Sequence, residues 1–197
     1  MQPSQQINLD QARALIVDDN CQSADILAGV LTSFGLRNIS RRASAREAQE
    51  ELEFRPADLI LTNAHLPEMD GYDLVRWLRR DGGGANRMTP VIIVTAHTRR
   101  AHVEKARDCG ANFIITKPIS PAVMLERILW VAQSDRLFIE CGSYVGPDRR
   151  WRNAGPPPEF PDGRRRDDRS IELGDIGGQN MSQDELDMLI KPQRSLA

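Results

Sequence analysis

Ala57 to Gly71 reads ADLILTNAHLPEMDG, and this stretch decides how the rest of the chain is read. After Asp58, Leu59-Ile60-Leu61 is a short apolar run of the kind that forms a strand buried in a parallel sheet. It breaks off into polar residues at Thr62-Asn63. Ligands of open α/β sheets bind at the carboxyl ends of the strands, so a polar side chain at the end of such a run is where chemistry is expected first. Here that side chain is Asn63.

Working outward, Ala14-Leu15-Ile16-Val17 is a second short apolar strand, ending in Asp18-Asp19. Adjacent carboxylates repel unless they are solvated or bound to a cation, and a hard, oxygen-seeking ion such as Mg²⁺ is the usual reason for the pair. Val91-Ile92-Ile93-Val94 ends in Thr95-Ala96, and Phe113-Ile114-Ile115 runs into Thr116-Lys117-Pro118. Leu36 to Arg42 offers only Leu36 and Ile39 in alternation. Between these runs the apolar spacing turns helical. Ser23 to Phe34 carries Ile26, Leu27, Val30, Leu31 and Phe34, with Gly35 placed to stop it. Ser44 and Glu47 form a capping box opening a helix to about Phe54, beyond which Pro56 forbids extension. Leu74, Val75, Trp77 and Leu78 mark a helix that ends in Asp81-Gly82-Gly83-Gly84, read as a flexible stretch. Arg99 to Cys109 is a polar helix stopped by Gly110. Ser120-Pro121 opens the last one, with Leu125, Ile128 and Leu129 expected to face inward. Five strands alternating with five helices predict a doubly wound α/β domain.

Pro67-Glu68-Met69-Asp70-Gly71, with Asp18, Asp19, Thr95 and Lys117, resembles response-regulator receiver domains over residues 12 to 133. The resemblance implies a flavodoxin-like, five-stranded parallel sheet of order 2-1-3-4-5 that gathers these loops at one end. It places the phosphoacceptor aspartate four residues before Pro67, at Asn63. An amide cannot act as the carboxylate nucleophile that forms an acyl phosphate. The resemblance also implies Mg²⁺ at Asp18 and Asp19, a hydroxyl at Thr95 that bonds the phosphoryl group, and a lysine at Lys117 that bridges phosphoryl oxygen or acceptor carboxylate. Losing one negative charge at Asn63 weakens the expected Mg²⁺ site. Ile114 stands at the switch position, three before the lysine, where many receivers carry an aromatic ring. The implied protein is a pseudo-receiver, a non-enzymatic binding module without phosphorylation as its input.

The chain has 197 residues, 40% of them apolar, enough for one ordinary domain and some extra. A net charge of −2 and a pI near 6.0 give no global attraction to nucleic acid or membrane. No apolar run approaches the roughly 20 residues that span a bilayer, and the opening MQPSQQINLDQAR lacks the apolar segment of a signal peptide. A cytosolic protein is expected. Cys21, Cys109 and Cys141 are odd in number and widely spaced, which indicates neither a disulfide framework nor a zinc site. His65, His97 and His102 share no ligand spacing and read as surface or loop residues.

Residues 1–11 form a polar lead, and 134–179 a Pro-, Gly- and Arg-rich linker expected to be extended or disordered. Its arginines alternate with aspartates, unlike a simple nucleic-acid arm, and no DNA-binding pattern follows. Arg149, Arg150, Arg165 and Arg169 could fork onto the phosphates of a cyclic-dinucleotide second messenger. Residues 180–191 then predict a short amphipathic helix. Ser182 is its N-cap, Glu185 completes a capping box, and Leu186, Leu189 and Ile190 share a face. Helices of this length are marginal alone, so this one is expected to fold on a partner. It resembles the Ser-Gln-x-Glu-Ile-Asp-x-Leu-Leu peptide of flagellar motor switch proteins, which binds the chemotaxis receiver. The expected function is a two-component signalling adaptor that binds motility or two-component proteins, or latches the tail helix onto its own receiver. The alternative is a regulator that accepts phosphoryl at another residue or after deamidation of Asn63.

Overall fold

The computed structural model describes residues 9–97, 99–132, 138–141, 144–148 and 181–190, the side chains of residues 100 and 187–190 excepted. Five strands pair in parallel in the order β2-β1-β3-β4-β5. They are β1 (Arg13–Val17), β2 (Asn38–Arg42), β3 (Leu59–Asn63), β4 (Val91–Thr95) and β5 (Phe113–Thr116). Helices cover both faces, which is why the central strands are continuous apolar runs. The core accordingly falls into two layers. Ala14, Ile16, Leu61, Ile92, Val94 and Phe113 pack with α1 (Cys21–Ser33) and α6 (Pro121–Ala132). On the other side Leu15, Val17, Ile60, Val91, Ile93 and Ile114 pack with α2 (Ala45–Phe54), α3 (Gly71–Asp81) and α5 (Arg100–Cys109).

Register does the positioning. Val17 lies opposite Thr62, Asn63 opposite Val94, and Thr95 opposite Thr116. Asp18, Asn63, Thr95 and Lys117 therefore emerge together at the carboxyl end of the sheet. The caps fall where the sequence places them: Ser44 Oγ accepts from Glu47 N at 3.2 Å, and Gly35 and Gly110 stop their helices at φ of 95° and 94°.

Several expectations are corrected. The buried face of α1 is Ala24, Leu27, Ala28 and Leu31, whereas Ile26 is exposed, because the small alanines let the helix approach the sheet closely. In α6 the buried residues are Met124, Arg127 and Ile128; Leu125 and Leu129 are only half-buried. The Gly82-Gly83-Gly84 stretch is not merely flexible. It leads into α4 (Gly83–Asn86), which Asn86 anchors by accepting from Ala57 N and donating to Leu52 O. The early part of the expected linker is an antiparallel hairpin, β6 (Phe138–Cys141) with β7 (Tyr144–Pro147), so it packs where composition argued for extension.

That hairpin sits on the amino-terminal pole of the sheet, around Arg79. This side chain is 1% exposed and donates to Gly110 O, Arg87 O, Thr89 O and Asn112 Oδ1 at 2.8–3.2 Å. Its guanidinium also lies 5.0 Å from the Phe138 ring centroid. Burial pushes its pKa down to about 10, so it stays charged at neutral pH, with carbonyl oxygens taking the place of a carboxylate. Beside it, a Cβ on Gly110 would lie 2.4 Å from Val145 O, so only glycine lets the hairpin approach.

Candidate functional site

At the carboxyl pole Asp18 is 3% exposed and takes four donors. Its Oδ1 accepts from Asn20 N at 3.0 Å and Asn63 Nδ2 at 3.5 Å. Its Oδ2 accepts from Ser23 Oγ at 2.6 Å and Lys117 Nζ at 2.9 Å. A buried carboxylate needs this much compensation. Asn20 supplies more, since its side chain caps α1 by accepting from Ser23 N. Asp19 is exposed, and its Oδ1 accepts from Asn63 Nδ2 at 3.1 Å.

Asn63 is the hub of the arrangement. Besides the two carboxylates its Nδ2 donates to His65 O at 2.8 Å. Three acceptors converging on one terminal atom fix which way the amide faces, because its oxygen there would meet only oxygens. Gly71 holds the residue in place: Gly71 N donates to Ala64 O, and a Cβ on Gly71 would lie 2.1 Å from Asn63 O. The connecting loop carries a tight turn, in which Met69 N donates to Pro67 O around Glu68 at φ 67°. A left-handed non-glycine residue next to a site is stored backbone strain.

Thr95 is buried, and its Oγ1 accepts from His97 N at 3.0 Å, so the hydroxyl is tied to its own loop. Lys117 N donates to Thr95 O, which joins the ends of β4 and β5. A hard divalent cation requires several free oxygens. Here both oxygens of Asp18 are engaged, and the Asn63 amide nitrogen occupies the space between the two carboxylates. These residues therefore fit Mg²⁺ poorly unless Asn63 turns its oxygen inward and Lys117 withdraws. Among the described residues no group of three or more His, Cys, Asp or Glu side chains is placed to hold a metal ion.

His65 and His97 are exposed loop residues, as the sequence reading has them, whereas His102 is half-buried in a helix, and the three rings cluster although their spacing shows no relation. His65 and His97 have ring centroids 5.0 Å apart, His65 and His102 5.6 Å, and His97 and His102 6.3 Å. His102 lies in α5, stacks on Tyr72 at 6.4 Å, and has a buried Nδ1 with no hydrogen-bond partner among the described residues. Burial holds its pKa below the usual histidine value, with His65, Lys105, His97 and Arg99 adding to the effect. Three residues from two loops and a helix meet only after folding, so spacing could not reveal them. Ser23, Asn20 and Gly71 were also missed as site residues. Gly71 carried a signal, since a glycine opening a helix implies a close backbone approach.

Ile114 is buried in the layer that holds Tyr72, Val103 and Ala106, while Phe113 points to the opposite layer and meets Trp130 edge-on at 4.9 Å. That same layer includes Leu186 of the tail helix α7 (Gln183–Ile190), which is 0% exposed. The capping box of α7 is formed, with Ser182 N donating to Glu185 Oε2 at 2.7 Å. This bond and the Ser182 hydroxyl hold the Glu185 carboxyl below the usual carboxylate range. Gln183 Oε1 accepts from Thr116 N at 3.0 Å and Gln183 Nε2 donates to Ile114 O at 3.2 Å. Burying one leucine contributes about 1.5–3 kcal/mol, and ordering each residue costs about 1–2 kcal/mol. Docking of so short a helix is thus reversible. The side chains of Leu189 and Ile190, and Arg149, Arg150, Arg165 and Arg169 altogether, lie outside the described residues.

No helix among the described residues is long and apolar enough to cross a membrane. The family model of the response regulator receiver domain matches residues 14–129, more than half of the chain. The chain is 30% identical over 117 residues to the chemotaxis protein CheY1 of Helicobacter pylori, covering 59% of this chain and 93% of that one. Its fold is similar to the receiver domain of a signal transduction histidine kinase from Syntrophus aciditrophicus, with TM-score 0.56, 31% identity, and coverage of 66% of this chain and 98% of the other. It is also similar to a putative response regulator from Chloroflexus aurantiacus, with TM-score 0.58, 25% identity, and coverage of 63% and 100%. With the sheet order, the acidic pair, Thr95 and Lys117 in place and a receiver model matched across the domain, the chain belongs to the response-regulator receiver-domain family.

Proposed function

We propose that this receiver works without phosphorylation, as an adaptor whose output is protein binding. The observation that carries the reading is the Asn63 amide, donating to Asp18, Asp19 and His65 O where the family places its acceptor carboxylate. A neutral donor in that place satisfies both acidic residues by hydrogen bonds, and Lys117 is already paired with Asp18. Charge balance at the site then needs no phosphoryl group, and Mg²⁺ binds weakly. Deamidation requires Ala64 N to attack the side-chain amide. That nitrogen donates to Val94 O and Ala64 is fully buried, which disfavours the alternative of an acceptor made after synthesis. The likeness to chemotaxis proteins supports a place in motility or two-component signalling in the cytosol.

The test is intact mass after incubation with Mg²⁺ and acetyl phosphate, for the native chain and for Asn63→Asp. In the variant a carboxylate oxygen attacks phosphorus and acetate leaves, so one phosphoryl group is gained. The native chain is expected to gain none. Uptake by the native chain overturns the reading.

A further inference from the structure

β5 is an edge strand, and the outward N–H and C=O groups of an edge are an open template for another chain. In this protein a single side chain takes two of them. The Gln183 carboxamide accepts from Thr116 N and donates to Ile114 O, reproducing one rung of a strand pairing. Three residues on, Leu186 is fully buried in the cluster that contains Val103, Ala106 and Ile114. α7 reads QDELDMLI, with three carboxylates and no basic residue. The helix neighbouring β5, α5, reads RAHVEKARDC, with Arg100, Lys105 and Arg107 against Glu104 and Asp108. Apolar burial and edge hydrogen bonding thus suit an amphipathic helix as the occupant.

We propose that α7 is an intramolecular plug. It fills a helix-docking face made of the β5 edge and α5, and keeps that face closed to a partner's acidic amphipathic helix that carries Gln and Leu three residues apart. The plug stands one residue from the site, since Thr116 holds Gln183 while Lys117 holds Asp18. Release of α7 therefore frees the partner face and the strand end that carries the lysine. This inference rests on the reading of the chain as a binding module and not on the silence of Asn63. Phosphoryl uptake by the native chain would remove that silence and leave the plug in place.

The test is fluorescence anisotropy with a labelled peptide of residues 180–191, titrated with the full native chain and with full-length Leu186→Asp. A face open in a tenth of molecules or fewer weakens apparent affinity by about tenfold or more. Leu186→Asp, whose own helix cannot dock, is expected to bind the peptide at least about tenfold tighter than the native chain. Full-length Gln183→Ala opens the face without adding a charge, and its affinity is expected to lie between the two. It serves as the deciding variant should Leu186→Asp lose the native far-UV circular dichroism. A peptide carrying Gln183→Ala should bind more weakly than the native peptide. Equal affinity for native and opened chains, or no binding to any of them, overturns the proposal.

Discussion

The two poles of the sheet hold polar clusters of opposite character. At the amino-terminal pole Arg79, Asn86, Thr89 and Asn112 are all buried and bonded to backbone or to each other, across loops far apart in sequence. At the carboxyl pole Asp18 is equally buried, but it is bonded to groups that are themselves half-exposed, with Asp19 open to solvent beside it. The first cluster is scaffolding, its members tying backbone segments together out of reach of solvent. In the second a neutral side chain, Asn63, donates to two carboxylates whose other partners reach the surface. Burial alone does not tell a functional charge from a structural one; what its partners are free to do does.

The contrast can be broken most severely at Arg79. Arg79→Leu strands the acceptors Gly110 O, Arg87 O and Thr89 O, leaves Asn112 Oδ1 with only Val91 N as donor, and is expected to destabilise by about 3–5 kcal/mol. Urea unfolding measures it, and a loss under about 1 kcal/mol would mean the pole is less integral than its bonding implies. Lys117→Met should act more mildly. Asp18 keeps Ser23, Asn20 and Asn63, so the expected loss is about 1–2 kcal/mol, largely recovered when Asp18→Asn is added. A loss as large as that at Arg79 would erase the distinction between the poles.

A smaller effect sharpens the contrast through pH. The pKa of His102 is lowered in the folded chain, so the unfolded chain takes up its proton first. The stability contributed by neutral His102 is present above about pH 6.5 and is lost as pH falls below it. His102→Gln should flatten the unfolding midpoint between about pH 6.5 and 5. An unchanged slope would place the sensitivity elsewhere. The smallest effect is expected at Glu68, where glycine relieves the left-handed backbone and gains less than about 1 kcal/mol. No gain in thermal unfolding would show the loop to be unstrained.

Legibility in the sequence followed the range of the interaction. Strands and most helices were readable because their periodicities and caps are local: Ser44 with Glu47, Ser182 with Glu185, Gly35 and Gly110. The layout of the site was readable because apolar runs end at Asp18, Asn63, Thr95 and Lys117 and parallel register aligns such ends. Two charged side chains broke the pattern. Arg79 and Arg127 stand on the buried faces of α3 and α6, where hydropathy predicts none: Arg79 finds its acceptors in distant loops, and Arg127 pairs with the adjacent Glu126 and lies over the ring of Phe113.

By itself the sequence determined that this is a receiver fold with an amide at the acceptor position, since both follow from short runs and a five-residue motif. Only the tertiary structure decided what the amide does, bridging Asp18 and Asp19 across 44 residues or more. It likewise brought three histidines into contact and set Gln183 on an edge 67 residues earlier in the chain. The physical reason is that hydrogen bonds and ring contacts act over a few ångströms, and which distant residues come that close depends on how the layers pack.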